Sequence, residues 1–276
     1  MSERPRWIGD LITVAGMAAL FGLIYLLPPD TSLSQLKQAG ILRICVPTLY
    51  PPLVTGKPDA PGFDIEFAEA IARRLGVRLV VNTNAAMGRD FNPRNWNVTR
   101  AQCQVLAGGV VVSDLTRSFL DTTPPHLETG WALVAATIPA RLQDVKVGFY
   151  SGLAGLDRIA LSRFLQGQKA RIEIFAGAEA LAEGLRSGRI DAAVTEALTA
   201  RQIAGTLDAK VAWLPESLAR YPVAFGLWKG DLSLKRRLIA VIGDLDREGL
   251  TRELTRRYRI APIEATLRCA WIDVVR

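Results

Sequence analysis

The chain has 276 residues, of which 49% are hydrophobic, enough for one large domain or two lobes with buried cores. Its formal net charge of +7 is spread over separate clusters such as Arg73–Arg74, Lys235–Arg237 and Arg256–Arg257. Because these cations do not gather in one run, they are typical of solvated helix faces and argue against a nucleic-acid-binding surface.

The first predicted element is an apolar segment, Ile8–Leu27. At about 20 residues it is long enough to cross a bilayer as a helix, and it lacks the recurring polar residues of an amphipathic core helix. Arg4 and Arg6 precede it, so the positive-inside rule leaves the N-terminus in the cytoplasm and exports everything after Pro28. We therefore expect a periplasmic protein with a membrane-spanning or signal helix, and a short linker, within residues 1–30.

The fate of this segment is left open by the sequence. The small residues of Ser32–Ser34 could be recognised by a signal peptidase, which would leave a mature chain without the segment. The apolar stretch exceeds the usual signal core of roughly 7 to 15 residues, and this favours a retained anchor in the inner membrane.

A strand–helix–strand unit opens the exported part. A strand at Leu42–Val46 is followed by a helix at Ile65–Leu75, for which Asp64 is the predicted N-cap and Gly76 the stop. A second strand, Val77–Val81, comes directly after the helix. This order predicts a parallel sheet with a right-handed crossover.

The alternation of strands and helices continues beyond an irregular loop at 82–99. Strands are predicted at 104–112, 145–149, 172–175 and 190–195, and helices at 156–165, 178–187, 233–247 and 250–258. Two extended apolar segments, Gly130–Ala136 and Tyr221–Leu227, lie between these cycles and predict two crossings between lobes with a cleft between them. The predicted organisation is α/β, with lobe 1 at 36–132 and 225–262, lobe 2 at 137–221, and a C-terminal tail at 263–276.

Six blocks of the sequence resemble extracellular solute-binding protein family 3, whose members deliver polar amino acids to ABC importers. The likeness spans roughly residues 36–260 and rests on the order and spacing of Leu42–Leu53, Gly62–Gly76, Ala107–Gly130, Val147–Gly155, Glu179–Glu196 and Tyr221–Tyr258. It implies the two-lobe, type II periplasmic-binding-protein fold. It also implies a clamp in which the ligand docks in an open cleft, the lobes close, and a membrane permease recognises the closed form.

The resemblance assigns ligand contacts to three side chains. Tyr50 stands where the family has an aromatic residue that packs on the ligand. Arg117 lies near the arginine that grips the ligand carboxylate with a bidentate fork. Glu196 follows a predicted strand at the position of the acidic residue that binds the ligand amino group. Without the resemblance, Arg117 would be a surface cation and Glu196 a helix cap.

Three glycines complete the ligand site that the resemblance implies. Gly108 and Gly109 would offer backbone groups from the same wall, and Gly152 would open a loop of N–H donors at a helix N-terminus. The family has two threonines after this last glycine, whereas this chain has Leu153–Ala154, so two hydroxyl donors are missing. Fewer donors discriminate less well for an α-amino-acid head group. The expected ligand is therefore a small polar compound, an amino acid or a related molecule.

The cysteines and the single histidine bear on metals and disulfides. With no CxxC pair and one histidine, the chain offers no zinc site, and no cofactor is expected. In an oxidising compartment two of the three cysteines can pair. Cys45 lies in the first strand and Cys103 directly precedes a strand expected beside it, so we predict that these two form a disulfide and that Cys269 is free. Three unpaired thiols are the alternative.

Three classes of function follow from these features. The favoured one is a non-enzymatic binding protein that captures a small polar ligand outside the cytoplasm for an ABC importer. An accessory or sensory protein of the same fold is an alternative, because cysteines placed like Cys45 and Cys103 resemble those of quinoprotein-dehydrogenase-associated proteins. A periplasmic dehydratase is another, with Glu196 as its acid–base group. His126 alone builds no catalytic triad and is expected to be a hydrogen-bonded loop residue.

Overall fold

The structure is a computed structural model of the chain and describes residues 13–19, 22, 30–87, 92–151, 156–215, 217–260 and 263. The predicted membrane segment Ile8–Leu27 and the tail at 263–276 lie mostly outside these residues, and Gly152 and Cys269 lie wholly outside them. Residues 13–19 are helical. Within the described part of the chain, every helix is too short or too polar to cross a membrane.

The described residues fold into two β-sheets flanked by helices. The strands, in chain order, are β1 (Ile41–Val46), β2 (Arg78–Thr83), β3 (Val105–Val111), β4 (Leu120–Thr122), β5 (Leu127–Thr129), β6 (Trp131–Ala135), β7 (Lys146–Phe149), β8 (Arg171–Ile174), β9 (Ala192–Glu196), β10 (Lys210–Trp213) and β11 (Tyr221–Trp228). The helices are α1 (Ser32–Ala39), α2 (Phe63–Leu75), α3 (Asp114–Phe119), α4 (Arg158–Gly167), α5 (Ala178–Arg186), α6 (Ala197–Leu207), α7 (Leu232–Arg247) and α8 (Leu250–Arg257), with a 3₁₀ turn at Pro93–Trp96.

The first sheet has the strand order β2-β1-β3-β11-β4, with β5 also paired to β11, and forms lobe 1. β1 runs parallel to β2 and β3, so the predicted strand–helix–strand unit with its parallel sheet is confirmed. α2 is the crossover, and it buries Phe63, Phe67 and Ile71 in the core of this lobe. Its burial extends over more than one helix face because α2 packs against the sheet on one side and against α7 and α8 on the other.

The second sheet has the order β10-β6-β9-β7-β8 and forms lobe 2. β7 runs parallel to β8 and β9, whereas β6 is antiparallel to β9 and β10. The buried side chains lie on both faces of this sheet and include Leu133, Val147 and Val194 on one side and Val134, Leu181 and Ile203 on the other. The two-lobe α/β architecture expected from the sequence is thus present.

The crossings between the lobes fall earlier than the predicted boundaries at 132 and 225. Trp131 already pairs with Glu196 in the second sheet, and Tyr221 already pairs with Thr129 in the first. Each apolar segment expected to bridge the lobes therefore belongs to one sheet. The physical reason is that a buried extended backbone needs partners for its N–H and C=O groups, and a sheet supplies them.

The N-terminal part of lobe 1 begins before the predicted start near residue 36. Asp30 accepts hydrogen bonds from the backbone N–H groups of Ser32 and Ser233, and Leu36 is fully buried. α1 packs in this way against the start of α7, so the folded lobe already includes Asp30, at the end of the predicted linker. The possible cleavage site at Ser32–Ser34 lies inside α1.

Cys45 and Cys103 form a disulfide with their Cα atoms 5.5 Å apart, which confirms the predicted pair. Cys45 lies in β1 and Cys103 just before β3, and the two strands are hydrogen-bonded neighbours. The disulfide is buried in a small cluster with Met87 and Trp96. It anchors the long loop between β2 and β3 to the first sheet.

Candidate ligand-binding cleft

Tyr50 of lobe 1 and Glu196 of lobe 2 meet between the two sheets. Tyr50 is 6% exposed and follows β1, while Glu196 is 1% exposed and ends β9. Burial raises the pKa of Tyr50 well above its usual value, and the negative charge of Glu196 raises it further. The Tyr50 hydroxyl is buried, and its strongest polar interaction is with the Glu196 carboxylate. Two of the residues assigned to the ligand are thus brought together across the cleft.

Glu196 is also the N-cap of α6. Its carboxylate accepts hydrogen bonds from the N–H groups of Leu198 at 3.0 Å and Thr199 at 3.1 Å, and from the hydroxyl of Thr129. Burial raises the pKa of Glu196, and the two backbone hydrogen bonds act in the opposite direction. Glu196 is therefore a helix cap, as its local sequence alone suggests. The same side chain also faces Tyr50 of the other lobe.

The N–H groups of Gly108 and Gly109 point to a buried carboxylate. Both donate to Oδ2 of Asp64, at 2.6 and 3.2 Å. Both glycines have positive φ, and a Cβ on Gly108 would lie 2.3 Å from Cδ of Pro47, so a larger residue would not fit there. The N–H groups of both glycines are thus used within lobe 1, and their place in the ligand site stays a prediction.

Asp64 also contacts the single histidine of the chain. Nε2 of His126 lies 3.0 Å from Oδ1 of Asp64, and both side chains are almost fully buried. The imidazole packs among the rings of Phe63, Phe67 and Phe225, with centroids 5.7, 5.6 and 4.7 Å away. His126 is thus the hydrogen-bonded residue that the sequence suggested, placed in the core rather than on a surface loop.

The contacts of Asp64 exclude its predicted role as the N-cap of α2. The helix begins at Phe63, two residues before the predicted start at Ile65, and Gly62 is its N-cap. Asp64 therefore lies in the first turn, where its carboxylate turns inward to β3 and His126. Local sequence favours a cap for any Asp before an apolar run, and here the distant buried donors decide its position.

Arg117 is exposed, in contrast to the buried side chains of Tyr50 and Glu196. It is in α3, with a side chain 61% exposed, and it forms a 3.7 Å ion pair with Asp114 one turn before it. Ser113 caps this short helix by accepting the N–H of Thr116. Gly152, the sixth assigned residue, lies outside the described residues.

Two residues that sequence reasoning missed lie in α6, a helix that was not predicted. Leu198 belongs to lobe 2 but is fully buried within the core cluster of lobe 1, whose members include Tyr50, Leu53 and Val54. Arg201 follows one turn later, and its guanidinium carbon lies 5.9 Å from the ring centre of Trp213. The alanine-rich run after Glu196 is a helix signal that could have revealed both.

The described residues contain no group of three or more His, Cys, Asp or Glu side chains that could hold a metal ion. The charged groups of the cleft are Glu196 and, in its neighbourhood, Arg201, whose pKa is lowered by burial and raised by the charges of Glu196 and Glu128. The buried Glu196 carboxylate can pair with the cationic end of a small polar molecule.

The chain has a relative of known name that is detectable by sequence. No family model matches the chain. Over 240 residues it is 25% identical to the L-cystine-binding protein TcyJ of Escherichia coli (strain K12), and the aligned part covers 82% of this chain and 85% of that protein. The resemblance to solute-binding protein family 3 is confirmed. By its name, this relative is a binding protein.

Solved structures share the fold of this chain. An ancestral amino-acid-binding protein, described as a precursor of cyclohexadienyl dehydratase, has a TM-score of 0.61 and 22% identity, over 82% of this chain and 99% of that one. The substrate-binding protein of an ABC uptake transporter from Streptococcus pneumoniae, solved with bound histidine, has a TM-score of 0.63 and 16% identity, over 86% and 98% of the two chains. At these identities the likeness establishes the two-lobe architecture.

Proposed function

We propose that this solute-binding protein captures a small polar solute, an amino acid or a related compound, between its lobes and presents it to an ABC-type membrane permease. The observation that carries the proposal is the buried meeting of Tyr50 from one lobe with Glu196 from the other. A ligand that contacts both residues is bound fully only when the lobes are together. Binding is thereby coupled to closure.

The polar groups at this contact suit the amino end of a zwitterion. The Glu196 carboxylate is buried, and it would form a charge-assisted hydrogen bond with an ammonium group. The buried Tyr50 hydroxyl, which interacts with this carboxylate, offers a further donor or acceptor to a ligand. The relatives named above, which bind L-cystine or histidine, support a ligand of this class.

The carboxylate end is assigned, within this proposal, to Arg117 and to the loop opened by Gly152. The exposed ion pair between Arg117 and Asp114 is weak in water, so the guanidinium is free to exchange Asp114 for a ligand carboxylate. Charges of opposite sign on the two lobes would then neutralise both ends of the ligand. Arg117 would supply the fork from lobe 1 and Glu196 the anion from lobe 2.

Location in the periplasm, with residues 8–27 as a membrane anchor, is the second part of the proposal. The disulfide between Cys45 and Cys103 supports export, because such bonds persist in oxidising compartments. Reporter fusions placed after Ala39, in the loop that follows α1, test the topology, and the mass of the mature chain tests the anchor. A mature chain that starts at Gln35 would contradict the anchor and leave export standing.

The binding function is tested by a thermal-shift screen of the full chain in detergent, followed by calorimetry. L-cystine, L-arginine, L-histidine and L-glutamine are compared with polyamines, organic acids and sugars. A ligand at about 100 times its Kd adds about 2.7 kcal/mol to the free energy of unfolding, which gives a clear shift. Failure of every amino acid and related compound would contradict the proposal and favour an accessory or sensory role, whereas turnover of prephenate or arogenate would favour a dehydratase.

A further inference from the structure

A groove of about 490 Å³ lies at the seam between the lobes. One wall is a face of α6 that presents Leu198, Arg201, Gln202 and Gly205 at helical spacing. The lobe 1 side is formed by Pro52 and Lys57, after β1, and by Tyr258 and Arg259, after α8. The groove is thus built from both lobes, next to the place where Leu198 enters the core of lobe 1.

The charges that line the groove are mainly positive. Lys57, Arg201 and Arg259 are cationic, and Glu179 is the acidic residue among the described lining residues. Lys57, Arg259 and Glu179 are exposed at the rim, whereas Arg201 is partly buried at the wall. The groove therefore favours an anion, with Arg201 as its most enclosed cation.

Arg201 forms no ion pair and no side-chain hydrogen bond in the part of the chain that the structure describes. Its Nε is fully buried without an acceptor, and none of the described carboxylates forms an ion pair with it. The guanidinium packs over Trp213 instead. Burial lowers the pKa of Arg201, and Glu196 and Glu128 only partly oppose this effect. A buried cation without an acceptor is costly, and an oxyanion is the partner whose geometry fits a guanidinium.

We propose that this interlobe groove binds a small oxyanion, a carboxylate or a phosphate group, on the guanidinium of Arg201, with Lys57 and Arg259 closing over it from lobe 1. The site is distinct from the contact between Tyr50 and Glu196 and does not require an amino group on its ligand. Because its walls come from both lobes, a bound anion would also hold the lobes together.

The test uses the full chain and two anions that lack an amino group, succinate and inorganic phosphate. Thermal unfolding is measured with each anion and with sodium chloride at the same ionic strength, and affinity is measured by calorimetry. We expect succinate or phosphate to raise the melting temperature well beyond sodium chloride. The more effective anion identifies the preferred group, carboxylate or phosphate.

Substitutions at Arg201 separate anion binding from a structural role. Arg201→Met keeps the packing on Trp213 but removes the charge, so it should weaken anion binding at least tenfold without lowering the melting temperature in the absence of the anions. Arg201→Lys should bind more weakly than the wild type because an ammonium lacks the fork. Arg163→Met, which changes an exposed arginine of α4 in the same lobe, is the matched control and should bind like the wild type.

Two results would overturn the inference. One is a stabilisation by succinate and phosphate that sodium chloride reproduces. The other is an Arg201→Met variant that melts earlier but keeps the full anion effect, since Arg201 would then be structural. Neither result bears on capture of an amino acid at Glu196, because neither anion carries an amino group, so the two proposals fail separately.

Discussion

Nε2 of His126 lies 3.0 Å from Oδ1 of Asp64, and the exposed fractions of the two side chains are 2% and 0%. The other carboxylate oxygen accepts the N–H groups of Gly108 and Gly109. One buried carboxylate therefore connects α2, the glycine pair within β3 and the segment before β5. These three pieces form the wall of lobe 1 that lies behind Tyr50.

Replacing His126 by alanine should destabilise the protein strongly. The change leaves the buried Asp64 carboxylate without its side-chain partner and opens a cavity among three phenylalanine rings. We expect a loss of about 3 to 5 kcal/mol in the free energy of unfolding, measured with urea. His126→Gln, which keeps an N–H donor, should lose less. A loss below about 1 kcal/mol for alanine would show that the pair contributes little.

Affinity for an amino-bearing ligand should depend on pH through Glu196. Burial raises the pKa of this carboxyl above its ordinary 4.5, and an ammonium group pairs with the ionised form only. Affinity should therefore fall as the pH drops through the raised pKa, at a higher pH than for an exposed glutamate. Folding stability should change in the opposite direction. The stability that Glu196 contributes through its raised pKa is fully present below about pH 4.5, the pKa in the unfolded chain, and is lost as the pH rises through the raised pKa of the folded protein. Calorimetry and urea unfolding across this range test both effects.

The charge itself is tested by Glu196→Gln, which keeps the shape of the side chain. Affinity for the amino-bearing ligand should fall by about 1.5 to 3 kcal/mol, the scale of a charge-assisted hydrogen bond, and its pH dependence should disappear. Arg117→Lys should also weaken binding because an ammonium lacks the bidentate fork. Unchanged affinity in both variants would mean that this pair does not form the ligand site.

Leu198 should hold the lobes together. It projects from α6 of lobe 2 into the core cluster of lobe 1 and is fully buried there. Truncating a buried leucine to alanine lowers the free energy of unfolding by about 2 to 5 kcal/mol. Because Leu198 packs between the lobes, its truncation should weaken the contact between them. We expect Leu198→Ala to increase the radius of gyration measured by small-angle X-ray scattering.

A matched control for this prediction is Leu161→Ala, which shortens a leucine buried within lobe 2 alone. It should lower the free energy of unfolding without changing the radius of gyration. The same radius for Leu198→Ala and the wild type would show that Leu198 does not determine closure.

The disulfide should contribute substantially to stability. Cys45 and Cys103 are 58 residues apart, and closing a loop of this length stabilises by about 4 kcal/mol on the chain-entropy model. Replacing both cysteines by serine should lower the free energy of unfolding, measured with urea, by about this amount. Thiol titration of the unfolded, unreduced protein should find Cys269 as the reactive thiol. Three reactive thiols before reduction would contradict the pairing.

The sequence by itself determined the alternating elements of both lobes and the pair Cys45–Cys103. The strand Leu42–Val46, the helix ending at Leu75 and the two closing helices depend on periodicity, capping residues and stop residues within a short window. The residues that define such an element all lie within about a dozen positions of the sequence, so the sequence alone is enough to predict it. The short α3 and the alanine-rich α6 carry weaker periodicity, and for this reason both were missed.

The tertiary structure decided where the polar side chains point. Asp64 precedes an apolar helix and would cap it by local rules, but His126, 62 residues away, and the N–H groups of β3 draw its carboxylate into the core. Arg201 looks like any solvated helix cation, but folding places it in the groove at the seam between the lobes without an acceptor among the described residues. Both outcomes depend on groups far apart in sequence that meet only on folding. For Asp64, the cost of burying a charge selects the arrangement that gives the carboxylate its hydrogen-bond partners.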